Sequence, residues 1–189
     1  MRLKKCFIVL WLMLLVLSIT GCGESDTDSK ATDPTEKVSQ EEIDRFNSYV
    51  QNIRGGTFLK EAKTSGDMAI INYGSYEDYI KLKPNTKITK DYYTTYWSTG
   101  DAINKAMMEE PIRLLREFPW LNKVDLTLPF EGVKYTVRID RKTVENYLNV
   151  NLAEIHKDST NEQWVNKIVN KYFNKEERSK YVQIFVTTS

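Results

Sequence analysis

The side chains that most often carry catalysis are sparse in this chain. His156 is the only histidine, and a histidine takes part in nucleophilic catalysis beside a positioned serine or cysteine. No motif of that kind surrounds it, and neither an HExxH pattern nor a second histidine is present to build a zinc site. We therefore interpret His156 as a surface residue in a loop, without a chemical role, and expect no metal and no cofactor.

Two adjacent carboxylates, Glu109 and Glu110, precede Pro111 in a segment with helical spacing. Glycoside hydrolysis uses two carboxyl groups about 5–10 Å apart, but neighbouring residues on a helix point in different directions. The two side chains are therefore a poor catalytic pair, and charged runs usually face solvent. The sequence predicts a solvated acidic surface here and provides no catalytic residue.

Aromatic residues are concentrated between Tyr73 and Trp97, and they are the best candidates for contact with a ligand. Six of the eleven tyrosines lie in this stretch. Tyrosine and tryptophan combine a flat apolar ring with a polar edge, which suits binding surfaces. The same rings also pack well in a core, so both interpretations stay open. The candidate ligand-binding residues are Tyr92, Tyr93, Tyr96 and Trp97.

The first 22 residues have the layout of a secretory signal peptide. Basic residues stand at positions 2, 4 and 5, an apolar run covers 6–17, and small residues then lead to Cys22. The apolar run is shorter than the roughly 20 residues that a membrane-spanning helix needs. The segment Ile19-Thr20-Gly21-Cys22 resembles the lipobox of bacterial lipoproteins.

This resemblance covers the first 22 residues only. It implies cleavage before Cys22, attachment of lipid to the Cys22 sulfur, and anchoring at the extracytoplasmic face of a cell membrane. Two or three acyl chains are needed for a lasting anchor, because a single chain binds a bilayer only marginally. The alternative is an uncleaved signal anchor, in which Cys22 has no role.

The cysteine and charge counts restrict the function of the mature chain. The other cysteine, Cys6, lies in the predicted signal peptide (1–21), so lipidation of Cys22 leaves no free thiol and no disulfide. The signal peptide also holds three of the 27 basic residues and none of the 26 acidic ones, so 24 basic and 26 acidic residues remain. Such a chain lacks the basic excess of a nucleic-acid-binding protein, and without disulfides it depends on its hydrophobic core.

A change in composition divides the mature chain at about residue 38. Residues 22–38 are rich in Ser, Thr, Asp and Glu and hold almost no large apolar residue. Such a segment cannot bury enough surface to order itself, so we predict a lipid-anchored flexible tether. About 16 flexible residues have a typical reach of roughly 20–24 Å. Residues 39–189 are predicted to form a single globular domain.

The clearest structural pattern is a β-hairpin at 124–139. Apolar and polar residues alternate through Val124–Phe130 and Val133–Ile139, and Glu131-Gly132 separates the two runs. A two-residue loop pairs Phe130 with Val133 and brings the apolar side chains to one face. Pro129 falls on the other face and indicates that the first strand is an edge near its end.

Apolar spacing and cap residues predict the remaining elements. Pro111 should either kink the main helix near residue 100 or begin a second helix. Helices are expected after Ser39, over 76–82, near residue 100 behind a Ser98 or Thr99 cap, after Asp140, and behind a Ser159 or Thr160 cap; strands are expected at 57–59, 68–72 and 181–187. These elements predict an α+β fold: an antiparallel sheet that includes the 124–139 hairpin and a C-terminal strand, with helices packed on one face.

The sequence favours a membrane-anchored, non-catalytic binding or interaction module. Its partner would be an envelope protein, a peptide or a glycan, and no nucleic acid is expected. One alternative is a cell-wall glycan hydrolase that works through carboxylates. Another is a small solute-binding lipoprotein, a class that usually needs two α/β lobes, for which this mature chain is short. The ligand and the oligomeric state stay open.

The lipid anchor leads to a test at Cys22. Replacing Cys22 with Ala removes the sulfur that carries the lipid, so the variant should keep its signal peptide and carry no acyl chain. Mass spectrometry of the N-terminal peptide measures both properties. In the native protein this peptide should begin at an acylated Cys22; a native chain that begins at Met1, or one with a free Cys22 thiol, contradicts the assignment.

Overall fold

The computed structural model describes residues 38–189. The signal peptide, Cys22 and nearly all of the predicted tether lie outside the described residues, so the expectations about them remain predictions. The helices are α1 (Gln40–Val50), α2 (Tyr76–Leu82), α3 (Lys90–Ser98), α4 (Ala102–Glu117), α5 (Arg141–Leu148), α6 (Leu152–His156), α7 (Glu162–Trp164), α8 (Asn170–Tyr172) and α9 (Lys175–Phe185). A 3₁₀ turn covers Gly56–Phe58, and a π-helical turn, Val165–Val169, joins α7 to α8.

Five strands form one mixed sheet, and its order follows the chain. The strands are β1 (Leu59–Ser65), β2 (Met68–Tyr73), β3 (Lys123–Phe130), β4 (Val133–Asp140) and β5 (Val186–Thr188). The α+β class is confirmed, and three of the four strand pairs are antiparallel. The pair β2–β3 is parallel instead, because α2, α3 and α4 intervene and supply the long crossover that parallel strands need.

The predicted hairpin is confirmed in its register. Phe130 pairs with Val133 across the Glu131-Gly132 turn, and the pairing continues to Val124 opposite Ile139. Its apolar face continues into β2, where Ile71 lies beside Leu126. Strand β3 lies between β2 and β4, but its pairing with β2 ends at Thr127. Pro129 lies beyond that point, where β3 has no neighbour on the β2 side and a residue without an N–H is tolerated.

Several predicted element boundaries are wrong. The segment 57–59 is mainly a 3₁₀ turn, and the first strand begins at Leu59. Segment 181–187 is mainly helical, and the last strand begins only at Val186. In this helix Arg178 and Tyr181, three residues apart, are buried together, whereas Ile184 is exposed. His156 ends helix α6 rather than lying in a loop, and it is half-buried.

The predicted caps are right where they rely on a local side chain and wrong where the backbone turns sharply. Ser39 and Asp140 cap α1 and α5 as expected. Helix α4 begins behind Asp101, which has a left-handed backbone, because Ser98 already belongs to α3. Helix α7 likewise begins behind Asn161, not behind Ser159 or Thr160.

Helix α4 is the centre of the fold. It packs against β3, α3, α6 and α9, and every residue from Ala106 to Ile112 is buried. A helix enclosed on all sides must bury whatever side chains its sequence places there, polar ones included. Helix α4 runs through Pro111 without interruption, so Pro111 does not start a second helix and one long helix remains. The core must therefore accommodate the polar side chains of this helix as well as its apolar ones.

Candidate functional site

Helix α3 divides the predicted aromatic residues between the core and the surface. Thr89 caps the helix by accepting a hydrogen bond from the backbone N–H of Tyr92. Residues four apart share a helix face, so Tyr93 and Trp97 point inward, and their side chains are 5% and 2% exposed. Tyr92 is 56% exposed and Tyr96 is half-buried. The four candidates are thus not one surface, and only Tyr92 and Tyr96 share an accessible face.

The segment 51–58 forms the wall opposite those two tyrosines, and the aromatic core holds it in place. Gly55 has a positive φ of 71°, and a Cβ there would lie 2.4 Å from the Trp97 ring, so only glycine fits. The hydroxyl of Tyr73 donates to the carbonyl oxygen of Arg54 at 2.6 Å. Phe58 packs edge-on against Tyr96, with ring centroids 5.4 Å apart. The wall is therefore fixed by residues of α3 and β2.

Between these walls lies a polar depression that we call the Arg54 groove. It consists of two adjoining cavities of about 260 and 330 Å³, which share Asn52, Ile53 and Arg54. The first cavity is the tyrosine lobe and the second is the arginine lobe. The tyrosine lobe is lined by Gln51–Phe58, Ile88, Tyr92 and Tyr96, and the arginine lobe by Tyr49, Asn52, Ile53, Arg54, Glu110 and Arg113.

The two glutamates of α4 contradict the prediction of a solvated acidic surface. Glu109 and Glu110 are 4% and 3% exposed, because they lie in the stretch of α4 that is covered on every side. A buried carboxylate is stable only when it is paired and hydrogen-bonded, or when it takes up a proton. The surroundings of the two residues differ.

Glu109 is neutralised by arginines. Arg178 of α9 donates from Nη1 to Oε1 of Glu109 at 3.0 Å, and from Nε to Asp101 at 2.6 Å. The other oxygen, Oε2, faces Nη2 of Arg113 at 3.4 Å and Nη2 of Arg54 at 3.9 Å. One carboxylate therefore joins α4 to α9 on one side and to the wall of the groove on the other.

Glu110 lines the arginine lobe and forms no ion pair in the described part of the chain. Burial raises its pKa above the ordinary glutamate range, and the positive charges of Arg113 and Arg54 oppose that rise only in part. Burial also raises the pKa of the neighbouring Tyr49 to about 12, and the Glu110 charge adds to that effect. The lobe thus combines two guanidinium groups with a carboxyl group whose pKa is raised by burial.

A second groove lies on the other side of α3, at the tip of the hairpin, and we call it the hairpin groove. Its volume is about 450 Å³. The hydroxyl of Tyr93 lies within hydrogen-bond distance of the carbonyl oxygens of Gly74 and Pro129, at 3.0 and 3.1 Å. Lys90 is paired with Glu77 at 3.3 Å. The Tyr93 hydroxyl and the Lys90 ammonium group are therefore engaged within the domain, whereas the arginine lobe of the Arg54 groove is lined by two guanidinium groups.

Residues 38–189 were also compared with the requirements of a metal site and of a membrane-spanning helix. No group of three or more His, Cys, Asp and Glu side chains in this part of the chain could hold a metal ion. None of its helices is long and apolar enough to cross a bilayer.

Comparison with known proteins adds no relative from which a function could be transferred. No protein-family model, no curated protein and no solved structure matches the chain. Function therefore has to be inferred from the groove and from the N-terminal motif.

The sequence did not predict that the residues of the arginine lobe lie together. Arg54 is far in sequence from Glu110 and Arg113, and nothing local indicates that they meet. One signal was available for the glutamates: Met107, Met108 and Ile112 surround them, which is typical of a helix that is apolar on all sides.

The ion network predicts a specific loss of stability. Replacing Arg178 with Gln leaves Glu109 and Asp101 buried without their closest partner, which should lower the free energy of unfolding by about 3 kcal/mol. Arg138→Gln is the matched control, because Arg138 pairs with Asp125 while its side chain is 77% exposed; its cost should stay below about 1 kcal/mol. Urea denaturation measures both, and equal losses for the two variants contradict a buried network.

Proposed function

We propose that this chain is a lipoprotein held on the extracytoplasmic face of a membrane by lipid on Cys22, and that its folded part binds an envelope partner without catalysis. The partner is a protein, a peptide or a glycan, and it occupies the Arg54 groove. The observation that carries this proposal is the pair of accessible rings, Tyr92 and Tyr96, facing a polar wall that the core holds rigid.

The composition of the groove fits recognition by rings and hydrogen bonds. Tyrosine offers a large contact area at a low cost in conformational entropy. The exposed amide side chains of Gln51 and Asn52 supply both donors and acceptors along the opposite wall. Arg54 stands where the two lobes meet and can contact a ligand in either one. This mixture suits a polar chain with flat or apolar parts, such as an oligosaccharide or a peptide.

A second candidate function, hydrolysis of a wall glycan, is favoured by one feature. Glu110 lines the groove and its pKa is raised, which are the properties of a general acid. The reaction also requires a second carboxyl group about 5–10 Å away. Among residues 38–189, Glu110 is the one acidic residue that lines the Arg54 groove, and Glu109 is already engaged by arginines. We therefore prefer a binding function.

Photo-crosslinking in the native cells tests this proposal. A photoreactive phenylalanine analogue in place of Tyr92 should capture a defined envelope partner from within the groove. The same analogue in place of Val165, which is 41% exposed and lies outside the groove lining, is the control and should not capture it. The proposal fails if neither site captures a partner, or if both capture the same set of proteins. It also fails if the purified chain releases reducing ends from wall glycan and Glu110→Gln abolishes that release.

Alanine substitutions separate contact with the partner from packing in the core. Tyr92→Ala should weaken partner binding roughly tenfold, as the loss of a well-placed aromatic contact does, and should change the free energy of unfolding by less than about 0.5 kcal/mol. Trp97→Ala removes a buried ring and should cost about 3–5 kcal/mol of stability. Binding titrations and urea denaturation measure these effects. If Tyr92→Ala unfolds the domain as Trp97→Ala does, Tyr92 belongs to the core.

A further inference from the structure

Arg54 and Arg113 converge in the arginine lobe from different parts of the chain. Both point an Nη2 atom at the same oxygen of Glu109, yet their distances of 3.9 and 3.4 Å are longer than the roughly 2.7–2.9 Å of a charge-assisted hydrogen bond. Both side chains are about one-third exposed, at 33% and 35%. Their donors are therefore only partly used and remain accessible from the lobe.

The individual donors of these arginines are satisfied to different extents. The Nε–H of Arg54 is buried and finds no acceptor within residues 38–189. Such a group costs free energy until a ligand or an ordered water accepts its proton. Arg178 differs, because it makes short bonds to both Glu109 and Asp101. Glu109 thus has one close arginine and two loosely held ones, and the loosely held ones face the groove.

The charges in this cluster leave a positive excess. Arg54, Arg113 and Arg178 carry one positive charge each, and the two carboxylates of Glu109 and Asp101 offset two of them. Burial raises the pKa of Glu110, so this carboxyl group takes up a proton more readily than an exposed one. With Glu110 protonated, the cluster has an excess of one positive charge, which matches a monoanion better than a doubly charged phosphate. The planar fork of a guanidinium also matches the geometry of a carboxylate.

We propose that the arginine lobe binds a carboxylate group of the partner between the guanidinium groups of Arg54 and Arg113. This inference rests on the proposed function, since it assigns the ligand chemistry of the Arg54 groove. The carboxylate accepts hydrogen bonds from both guanidinium groups, and the rest of the ligand extends past Asn52 into the tyrosine lobe. A peptide C terminus and an acidic sugar both carry this group.

Glu110 couples this binding to pH. The charged and titratable groups around it are Glu109 and Arg113 on α4, Arg54 on the groove wall, and Tyr49, Tyr73 and Tyr96 from α1, β2 and α3. A bound carboxylate adds a negative charge beside Glu110 and raises its pKa further. The complex therefore favours protonated Glu110, and affinity should fall as the pH rises through the pKa that Glu110 has in the free groove.

The direct test compares matched ligands on the full chain, purified in detergent, by ligand-observed NMR. The probes are N-acetyl-dialanine as the free acid and as its C-terminal amide, and glucuronic acid with glucose as the sugar pair. At least one acid should bind about tenfold more tightly than its neutral counterpart, a difference equivalent to about 1.4 kcal/mol. The pair that shows the difference identifies the source of the carboxylate. Acids that bind no better than their neutral counterparts up to the solubility limit overturn the inference, and so does equal competition by inorganic phosphate.

Three variants and one control examine the residues themselves. Arg113→Gln and Arg54→Gln should each remove the preference for the acid, whereas Arg138→Gln, on the exposed face of the sheet, should keep it. Glu110→Gln, which is neutral at every pH, should bind the acid equally well at pH 5 and pH 8, while the parent chain weakens at pH 8. If Glu110→Gln keeps the pH dependence of the parent, Glu110 is not the coupled group and that part of the inference fails.

The two proposals fail in different ways. If Tyr92 captures a partner in cells while acids and neutral analogues bind equally, the groove is a binding site and the carboxylate assignment is wrong. If the acids bind in vitro and depend on Arg113, but no partner is captured at Tyr92, the lobe is an anion site and the groove is not the partner surface.

Discussion

The buried carboxylate of Glu109 is the constraint around which the structure is arranged. It lies in the middle of α4, at a point where that helix is covered on all sides. An ionised carboxylate in such a place costs several kcal/mol unless cations accompany it. The cations come from different parts of the chain: Arg178 from α9, Arg113 from α4 itself, and Arg54 from the wall of the groove. The same charge thus docks the C-terminal helix and aligns two arginines along a surface depression.

The aromatic residues of α3 also connect the core with the Arg54 groove. Trp97 packs on Gly55 and Tyr73, which fixes the backbone next to Arg54. On another face of the same helix, Tyr92 and Tyr96 line the groove opposite that wall. A short helix therefore contributes both the rigid support and the accessible rings. Rigid support reduces the entropy that a ligand must overcome on binding, which suits a surface that recognises a partner and carries out no chemical step.

The parts of the fold that were predictable depend on neighbours in sequence. The 124–139 hairpin follows from alternation and a two-residue turn, and the Ser39 and Asp140 caps follow from a side chain that bonds its own helix. Strand β1 escaped prediction because it is an edge strand with charged residues and little alternation. The helical state of 181–185 depends on burial of Tyr181 against the rest of the domain, which no local pattern specifies.

In the candidate site, too, local features were predictable and contacts between distant residues were not. Tyr92 and Tyr96 were predicted from residue type alone, and the helical period that separates them from Tyr93 and Trp97 became visible only once α3 was known. The arginine lobe assembles residues from distant parts of the chain, so its chemistry could not be predicted from spacing. Glu109 and Glu110 were assigned to solvent because a charged pair usually lies there; the apolar residues on all sides of α4 outweigh that tendency.

Amide hydrogen exchange on Glu109→Gln tests whether the Glu109 carboxylate holds α9 and the groove wall in place. Glutamine keeps the shape of the side chain and removes the charge, so all three arginines lose their shared partner together. Exchange should become faster in α9 and in the segment 51–56, while the β3–β4 hairpin keeps its protection, because local opening follows the lost contacts. Unchanged exchange in both α9 and 51–56 would contradict the view that this one carboxylate organises the docking of α9 and the shape of the groove.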